Sequence, residues 1–397
     1  MRVSTNQINT LAINGILDQQ SKLSTIQNQL STGKRVINPS DDPITAAKSI
    51  SINQAISVTE QYQKNSDVAT SRLNLEESTI ESMTFVLNRV RELSLQGNNA
   101  TATANDRKLI AGEMKGLQDE LLSLANTRDS NGEYIYSGFQ GSTQPFARDT
   151  AGGFVYSGDD GQRLIQVSPS RTIAIGDSGR DVFVEIRNGN GAFTVADNAT
   201  NNGSGVIDNG SLSNGVSWVP DTYTIRFTSD TTFVVEDSGG APVYSDNYVA
   251  DALISFNGVN TSIKGTPLSG DTFTISPSLN QDLFTTVQNV IDAFTSPTNG
   301  SGTASVNNSV NRFLTDIDQA FENLHNVRAG VGARLNSLES QKSLNDAQII
   351  NDKQSLSDLI DVDYIEAISN LNLQQTGLEA AQKSYMKIQG LSLFNYL

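Results

Sequence analysis

The side chains best suited by type to do chemistry are two pairs of adjacent carboxylates, Asp41–Asp42 and Asp159–Asp160, and the single histidine, His325. Paired carboxylates can serve general acid–base catalysis, but only beside a further group that holds substrate or shares a proton. Asp41–Asp42 falls at a helix corner, and Asp159–Asp160 lies in Ser157-Gly158-Asp159-Asp160-Gly161, which is hairpin-turn composition. Neither pair comes with a partner group. A calcium site over 157–161 would need the twelve-residue loop of an EF-hand, and the surrounding sequence does not supply one. His325 sits between Leu324 and Val327 on a helix-patterned stretch and reads as a packing or surface residue. The chain has no cysteine, which excludes disulfides, thiolate-held metals and cysteine nucleophiles, and one histidine excludes a multi-histidine metal site within one chain. The reading is a non-enzymatic chain with no catalytic residue, no metal and no cofactor.

The elements that would position any site follow from charge and periodicity. Among 397 residues, 27 Lys and Arg face 43 Asp and Glu, a net charge of −16. A surface so acidic argues against nucleic acid as a partner. No apolar run approaches a membrane span, and the segment from Met1 to Gln7 lacks the apolar core of a secretory signal. The acid is unevenly spread. Residues 1–40 carry a net of +3 and residues 371–397 a net of +1, whereas residues 133–280 hold seven basic and sixteen acidic side chains, a net of −9. The middle thus reads as a solvated region facing outward, and the ends as surfaces built to meet another surface.

Apolar residues repeat at helical spacing in four places: Ile16, Leu23 and Leu30 with Ile26; Leu73, Ile80 and Leu87 with Met83 and Val90; Ile110, Met114, Leu117, Leu121 and Leu124; and Tyr364, Leu371, Leu378 and Tyr385 with Ala367, Ala381 and Ile388. Between about 133 and 280 the pattern becomes short and alternating. Residues 163–167, 182–186, 223–227, 232–235 and 272–275 read as strands, and Asn–Gly pairs between them supply turn chemistry. Residues 197–217 are almost all small and polar and read as a loop or mobile tip. Helical spacing returns after Thr285, with a break at Ser296–Ser305 and expected interruptions at Gly330 and Gly332.

The expectation is an α+β chain, an elongated antiparallel helical bundle or coiled coil of terminal arms with an inserted central β domain. Its segments are an N-terminal arm (1–40), the first half of a helical rod (41–132), the β region (133–280), the second half of the rod (281–360) and a C-terminal arm (361–397). The arms must pair, because neither can bury its seam alone.

One stretch, Gln29-Leu30-Ser31-Thr32-Gly33-Lys34-Arg35-Val36-Ile37-Asn38-Pro39-Ser40-Asp41-Asp42-Pro43, has the chemistry of a helix–turn–helix corner. Gly33 ends the first helix, with Lys34 and Arg35 at its negative end. Pro39 enforces an extended turn, followed by Ser40 and Asp41. Asp42 can cap the next helix, with Pro43 at its first position. This string closely resembles the N-terminal signature of bacterial flagellins and hook-associated proteins. Val327–Asn336, Asp361–Ala367 and Leu373–Gly377 resemble later segments of that family, in the same order, so the likeness covers roughly 1–145 and 305–397.

Filament flagellins read differently at the corner, where this chain has Pro-Ser-Asp-Asp-Pro. Residues 126–139, followed by Pro145-Phe146, are instead similar to the hook–filament junction branch. The resemblance implies a structural adaptor that forms a ring or helical layer with copies of itself. The layer would lie between the first hook-associated protein and flagellin, with filament flagellin itself as the alternative role. It also implies secretion unfolded through the growing flagellum by the type III route, with an export chaperone and no cleaved signal. The arm residues Ile16, Leu23, Leu30, Leu371, Leu378, Tyr385, Ile388, Leu391 and Phe394 would then pack within the subunit and against neighbours.

Overall fold

The computed structural model describes residues 5–150, 152–296 and 302–390. The chain divides into two compact units: Met1–Lys64 with Gln341–Leu397, and Asn65–Ser340. Three helices precede the strands: α1 (Thr5–Thr32), α2 (Pro43–Gly97) and α3 (Ala104–Ala125). Three follow them: α4 (Leu283–Thr295), α5 (Thr303–Ile360) and α6 (Tyr364–Gly390). Helical arms around a central β region make the mixed α+β class expected from the periodicity.

Within the larger unit, the segment of α2 from Ala69 to Leu93 is the spine of the first core. Leu73, Ile80, Met83, Leu87 and Val90 are fully buried there, against Ile110, Met114 and Leu121 of α3, Val287 and Val290 of α4, and Val310, Phe313, Ile317 and Leu324 of α5. α3 starts with a reciprocal cap, in which the Thr103 hydroxyl accepts from the Asp106 amide and the Asp106 carboxylate accepts from the Thr103 amide. Two small hairpins, β1 (Phe146–Arg148) with β2 (Phe154–Tyr156) and β3 (Leu164–Ser168) with β4 (Arg171–Ala174), close over this core.

The alternation at 182–186 does not become one strand. Arg180–Val184 forms a π-helical turn, and only β5 (Ile186–Arg187) is extended. The reason is packing. Val182 and Phe183 are neighbours and both are fully buried, which a half-exposed strand forbids. The Phe183 ring meets Tyr136 at 5.0 Å, Phe146 at 5.1 Å and Phe284 at 5.8 Å, and that aromatic cluster sets the local backbone.

A second core sits among the remaining strands. β6 (Phe193–Asp197), β7 (Val206–Ile207), β8 (Ser211–Leu212), β9 (Tyr223–Ser229), β10 (Thr232–Glu236) and β11 (Pro242–Asn247) come first. Then follow β12 (Ile254–Phe256), β13 (Val259–Thr261), β14 (Ile263–Lys264), β15 (Thr272–Pro277) and β16 (Asn280–Gln281). Five of them make an antiparallel sheet in the order β11-β10-β9-β15-β6. Tyr223, Ile225 and Phe227, Phe233 and Val235, and Phe273 and Ile275 alternate into the core, as the period-two pattern requires.

Residues 197–217, expected as a loop or mobile tip, are largely irregular, but 198–213 are tied down by hydrogen bonds. The Asn201 side chain accepts from the Thr272 amide and donates to the Thr272 carbonyl, both at 2.8 Å, and Ile207 is buried. The segment also docks on α5. The Ile207 amide donates to Asn308 Oδ1 at 2.9 Å, and Asn209 Nδ2 donates to the Asn311 carbonyl at 2.8 Å; ahead of the segment, the Gly189 amide donates to Asp316 Oδ1 at 2.6 Å. Small polar residues thus hold backbone here through side-chain hydrogen bonds, which leave no hydrophobic signature.

Gly330 and Gly332 do not interrupt α5, which runs unbroken through both. An interior glycine costs a helix only about 1 kcal/mol relative to alanine, and a long packed helix absorbs that. Val331, between the two, is fully buried.

Candidate functional site: the paired arms and their corner

In the smaller unit α1 and α6 run antiparallel. Gln19 lies against Gln374, donating to its side-chain carbonyl and, at 3.4 Å, to its backbone carbonyl. Gly377 faces the same glutamine, and a Cβ there would come within 2.6 Å of Gln19 Nε2. Ile16, Leu23, Leu30, Leu371, Leu378 and Tyr385 all sit half-buried along this helix pair. Ala12, Gly15, Gln19, Gly377, Ala381, Ser384 and Tyr385 line an open cavity of about 340 Å³ between the two helices. The Ile388 side chain, Leu391 and Phe394 lie outside the described residues.

The arms also expose large apolar side chains off the seam, a second face that the heptad reading missed. On α1 these are Leu11 (65% exposed), Ile13 and Leu17, and on α6 Ile365 (85% exposed), Ile368, Leu373 and Met386. Among the described residues of this unit, the sealed side chains are Ile56, Ala367, Thr45 and Asn345. A helix that is apolar on more than one face is one whose burial is incomplete. The signal was present in the sequence as Leu11, Ile13 and Leu17 between the seam positions.

The corner motif joins both ends of the chain. Gly33 takes φ +70°, a left-handed conformation that costs other residues more, and ends α1. Its carbonyl then accepts from the Val362 amide at 2.9 Å, the Arg35 amide donates to the Ile360 carbonyl at 2.7 Å, and Lys34 pairs with Asp361 in an antiparallel bridge. The Arg35 guanidinium does not cap α1. It donates at 2.8 Å to the Leu359 carbonyl, at the end of α5, and stands 3.7 Å from Asp42. A left-handed residue between the guanidinium and α1 turns the side chain toward the other helix, whose free carbonyls also favour a cation.

The remaining motif residues build the turn. Ser31 and Thr32 hydroxyls donate to the Asn28 carbonyl. Asp41 Oδ2 accepts from the Ile37 and Asn38 amides, which shapes the Pro39-Ser40 turn. Asp42 caps α2, whose first residue is Pro43, by accepting from the Thr45 amide at 3.1 Å and the Thr45 hydroxyl at 2.7 Å. Those Thr45 hydrogen bonds, with Arg35 nearby, hold the Asp42 carboxyl below its usual range. Asp363 serves α6 the same way, accepting from the Ile365 amide at 2.9 Å.

The other candidate groups are also engaged structurally. Asp159 Oδ1 accepts from the Phe139 and Gly161 amides, and Asp160 pairs with Arg180 at 2.6 Å. His325 is exposed on α5. Among the described residues no three His, Asp or Glu side chains gather as a metal site.

A cluster of titratable groups in the larger unit escaped the sequence reading. Glu76 on α2 is 1% exposed, and its Oε1 accepts from the Asp177 amide at 3.1 Å. Around it stand Arg334, paired with Asp177, and Arg72, which is 2.6 Å from Asp129 and 3.6 Å from Glu133. Burial, reinforced by the Asp177 charge, pushes the Glu76 carboxyl up to about 8. The cluster fastens α2, the 129–133 turn, the 177 loop and α5 together, and every strong pair in it is internal.

The family models for the bacterial flagellin N-terminal helical region and C-terminal helical region match residues 3–141 and 314–397. The chain is 31% identical over 394 residues to flagellar hook-associated protein 3 of Escherichia coli, covering 99% of each chain. The crystal structure of FlgL from Xanthomonas campestris is similar at 31% identity with a TM-score of 0.73, over 77% of this chain and 99% of that one. The flagellar junction protein FlgL from Legionella pneumophila is similar at 33% identity with a TM-score of 0.71, over 79% of this chain and 99% of that one. A likeness that spans the β region as well as both arms carries more than the helical ends alone would. The chain therefore belongs to the flagellar hook-associated protein 3 family.

Proposed function

We propose that this chain is a structural component of the bacterial flagellum, a hook-associated protein at the junction between hook and filament. The full-length likeness to hook-associated protein 3 supports this role over that of filament flagellin. The observation that carries the mechanism is the unsatisfied apolar surface of the paired arms: Leu11, Leu17, Ile365 and Leu373 stay exposed after α1 and α6 have paired. Burying that surface against copies of this chain in a ring, against the first hook-associated protein on one side and against flagellin on the other, supplies the driving force for assembly. The half-buried seam, Ile16, Leu23, Leu30, Leu371, Leu378 and Tyr385, sets the arm that presents it, and Ile388, Leu391 and Phe394 extend the same apolar character.

The absence of cysteine suits a secreted chain that travels unfolded with an export chaperone and assembles outside the cell, where disulfides would otherwise form. The carboxylates that could suggest catalysis are engaged as caps, turns and ion pairs, which supports a role without enzymatic activity.

The test is a strain carrying Leu11→Lys, Leu17→Lys and Leu373→Lys together. Lysine is a good helix former, so the arms keep their propensity while losing apolar surface. Electron microscopy should show hooks without attached filaments, with flagellin shed into the medium. Normal filament attachment by a variant that is exported at the usual level would overturn the proposed interface.

A further inference from the structure

Nine Asn–Gly pairs occur in the sequence, beginning at Asn14, Asn131, Asn188, Asn190, Asn202, Asn209, Asn214, Asn257 and Asn299. Asn–Gly is the dipeptide in which a side-chain amide is most open to attack by the following backbone nitrogen, because glycine has no Cβ to hinder the approach. The fold treats these pairs unequally. Asn14–Gly15 lies inside α1, where the glycine amide belongs to the helical ladder. The Gly132 amide donates to the Asp129 carbonyl at 3.0 Å. The Gly189 amide is held by Asp316 at 2.6 Å, Gly203 by Asp271 at 3.0 Å and Gly210 by Asp208 at 2.7 Å. Asn190 Oδ1 accepts from the Ala192 and Phe193 amides at 3.0 Å, and Asn257 Nδ2 donates to the Tyr223 hydroxyl at 3.1 Å. Asn299–Gly300 is outside the described residues.

Asn214–Gly215 is different. Both residues are exposed, Gly215 has φ +89°, and nothing lies within 4 Å of where its Cβ would stand. Among the described residues, neither the Asn214 side chain nor the Gly215 amide has a hydrogen-bond partner. The pair sits at the top of an arch. The Ser213 amide donates to the Gly258 carbonyl at 2.8 Å, and the Val219 amide donates to the Asn257 carbonyl at 3.1 Å. Trp218, packed on Phe193 at 5.3 Å and Tyr223 at 5.8 Å, anchors the far foot. Residues 214–216 span between these anchors, with the Ser217 carbonyl already packed on Gly258.

We propose that Asn214–Gly215 is a site of spontaneous deamidation in the folded chain, selected by the fold from among the eight pairs that lie in described residues. The Gly215 nitrogen attacks the Asn214 side-chain carbonyl carbon, a new N–C bond closes a five-membered succinimide, and the bond to Nδ2 breaks. Ammonia leaves, carrying the amide proton. Water then opens the ring at either carbonyl and leaves aspartate or isoaspartate. The balance is one ammonia out and one water in, with no oxidant or reductant. The product adds a negative charge to a region that already carries a net of −9. The isoaspartate form lengthens the main chain by one methylene inside the arch.

The experiment is a peptide map of the intact chain by mass spectrometry during incubation in mildly alkaline buffer, with an isoaspartate methyltransferase assay on each fraction. In the folded chain the acid form should accumulate at Asn214 well before the seven other pairs in described residues, whereas in urea these pairs should convert at comparable rates. Asn214→Gln, which needs a less favourable six-membered ring and touches nothing in the fold, should remove the early product. Retention of the Asn214 amide in the folded chain, or equally fast conversion at any of those seven pairs, overturns the proposal. So does an undiminished acid signal from that peptide in Asn214→Gln.

Discussion

Leu73, Ile80 and Leu87 on α2 and Ile16, Leu23 and Leu30 on α1 repeat at the same spacing of seven, yet they meet different fates. The first three are completely buried, whereas the second three are half-buried. The spacing is the same because each set is the stripe of one helix. What differs is the number of elements around it. The α2 stripe is closed by α3, α4, α5 and the aromatic cluster of Tyr136, Phe146, Phe183 and Phe284, while α1 has α6. A heptad stripe therefore states that a helix will pair, and the neighbours decide whether the pair is finished. The α2 stripe has completed its burial within the chain, whereas the arm stripe stays partly open to solvent.

The sharpest way to break this comparison is to cut the same side chain in both places. Leu87→Ala opens a cavity in a closed core and should cost about 2–5 kcal/mol. Leu23→Ala removes a half-buried side chain with solvent beside it and should cost about 1 kcal/mol. Denaturant unfolding of the two purified variants measures both, and equal losses would mean that the arms are as closed as the body.

The second contrast is one of pH. Glu76 in the larger unit has its carboxyl raised from 4.5 to about 8, so the folded state holds a proton that the unfolded state has released. Stability from this group is fully present below the unfolded value and is lost as pH rises through about 8, with a slope of at most about 1.4 kcal/mol per pH unit. Asp42 at the corner has the opposite sign. Its lowered pKa contributes stability above the ordinary carboxylate range that is lost in acid. Glu76→Gln should flatten the decline between about pH 4.5 and pH 8 in a melting series and leave arm proteolysis unchanged. A decline that persists in the variant would assign it to other groups.

The smallest expected effect concerns α5. Gly330 is helical, exposed and has open space at its Cβ position, so Gly330→Ala should stabilise the chain by about 0.5–1 kcal/mol. Thermal unfolding checks this, and a destabilised variant would show that the glycine is needed for close approach.

Much of the architecture was legible in residue order. The stripes on α2 and α3, the alternation at Tyr223–Phe227 and Thr272–Ile275, and the Gly33 helix end all act through near neighbours in the chain. The features that were not legible depend on distant partners. Arg35 turns to a carbonyl at Leu359, and Lys34 bridges Asp361, so their roles are set by residues at the other end of the sequence. Phe183 leaves the strand pattern because Phe284 and Phe146 need its ring. Residues 201–209 look like a loose tip because their anchors, Asn308, Asn311 and Asp271, are hydrogen bonds and carry no hydrophobic period. The exposed apolar face of the arms was overlooked for a different reason. Leu11 and Leu17 stand in the sequence, but a heptad seam accounts for only one face of the helix.

The bridge between Lys34 and Asp361 has a kinetic meaning as well as a structural one. It closes nearly the full length of the chain, and direct closure of so long a loop carries an entropy that grows with the logarithm of its length. α2 and α5 shorten that path. Arg91 meets Asp318 at 2.6 Å and Arg328 meets Glu77 at 3.3 Å, and both helices continue to the residues flanking the corner. Once those two helices are paired, the segments left between Glu77 and Lys34 and between Arg328 and Asp361 are far shorter than the direct loop from Lys34 to Asp361. The corner is thus a low-entropy event only after the body has formed, which makes the arm pair a late step in the order of folding.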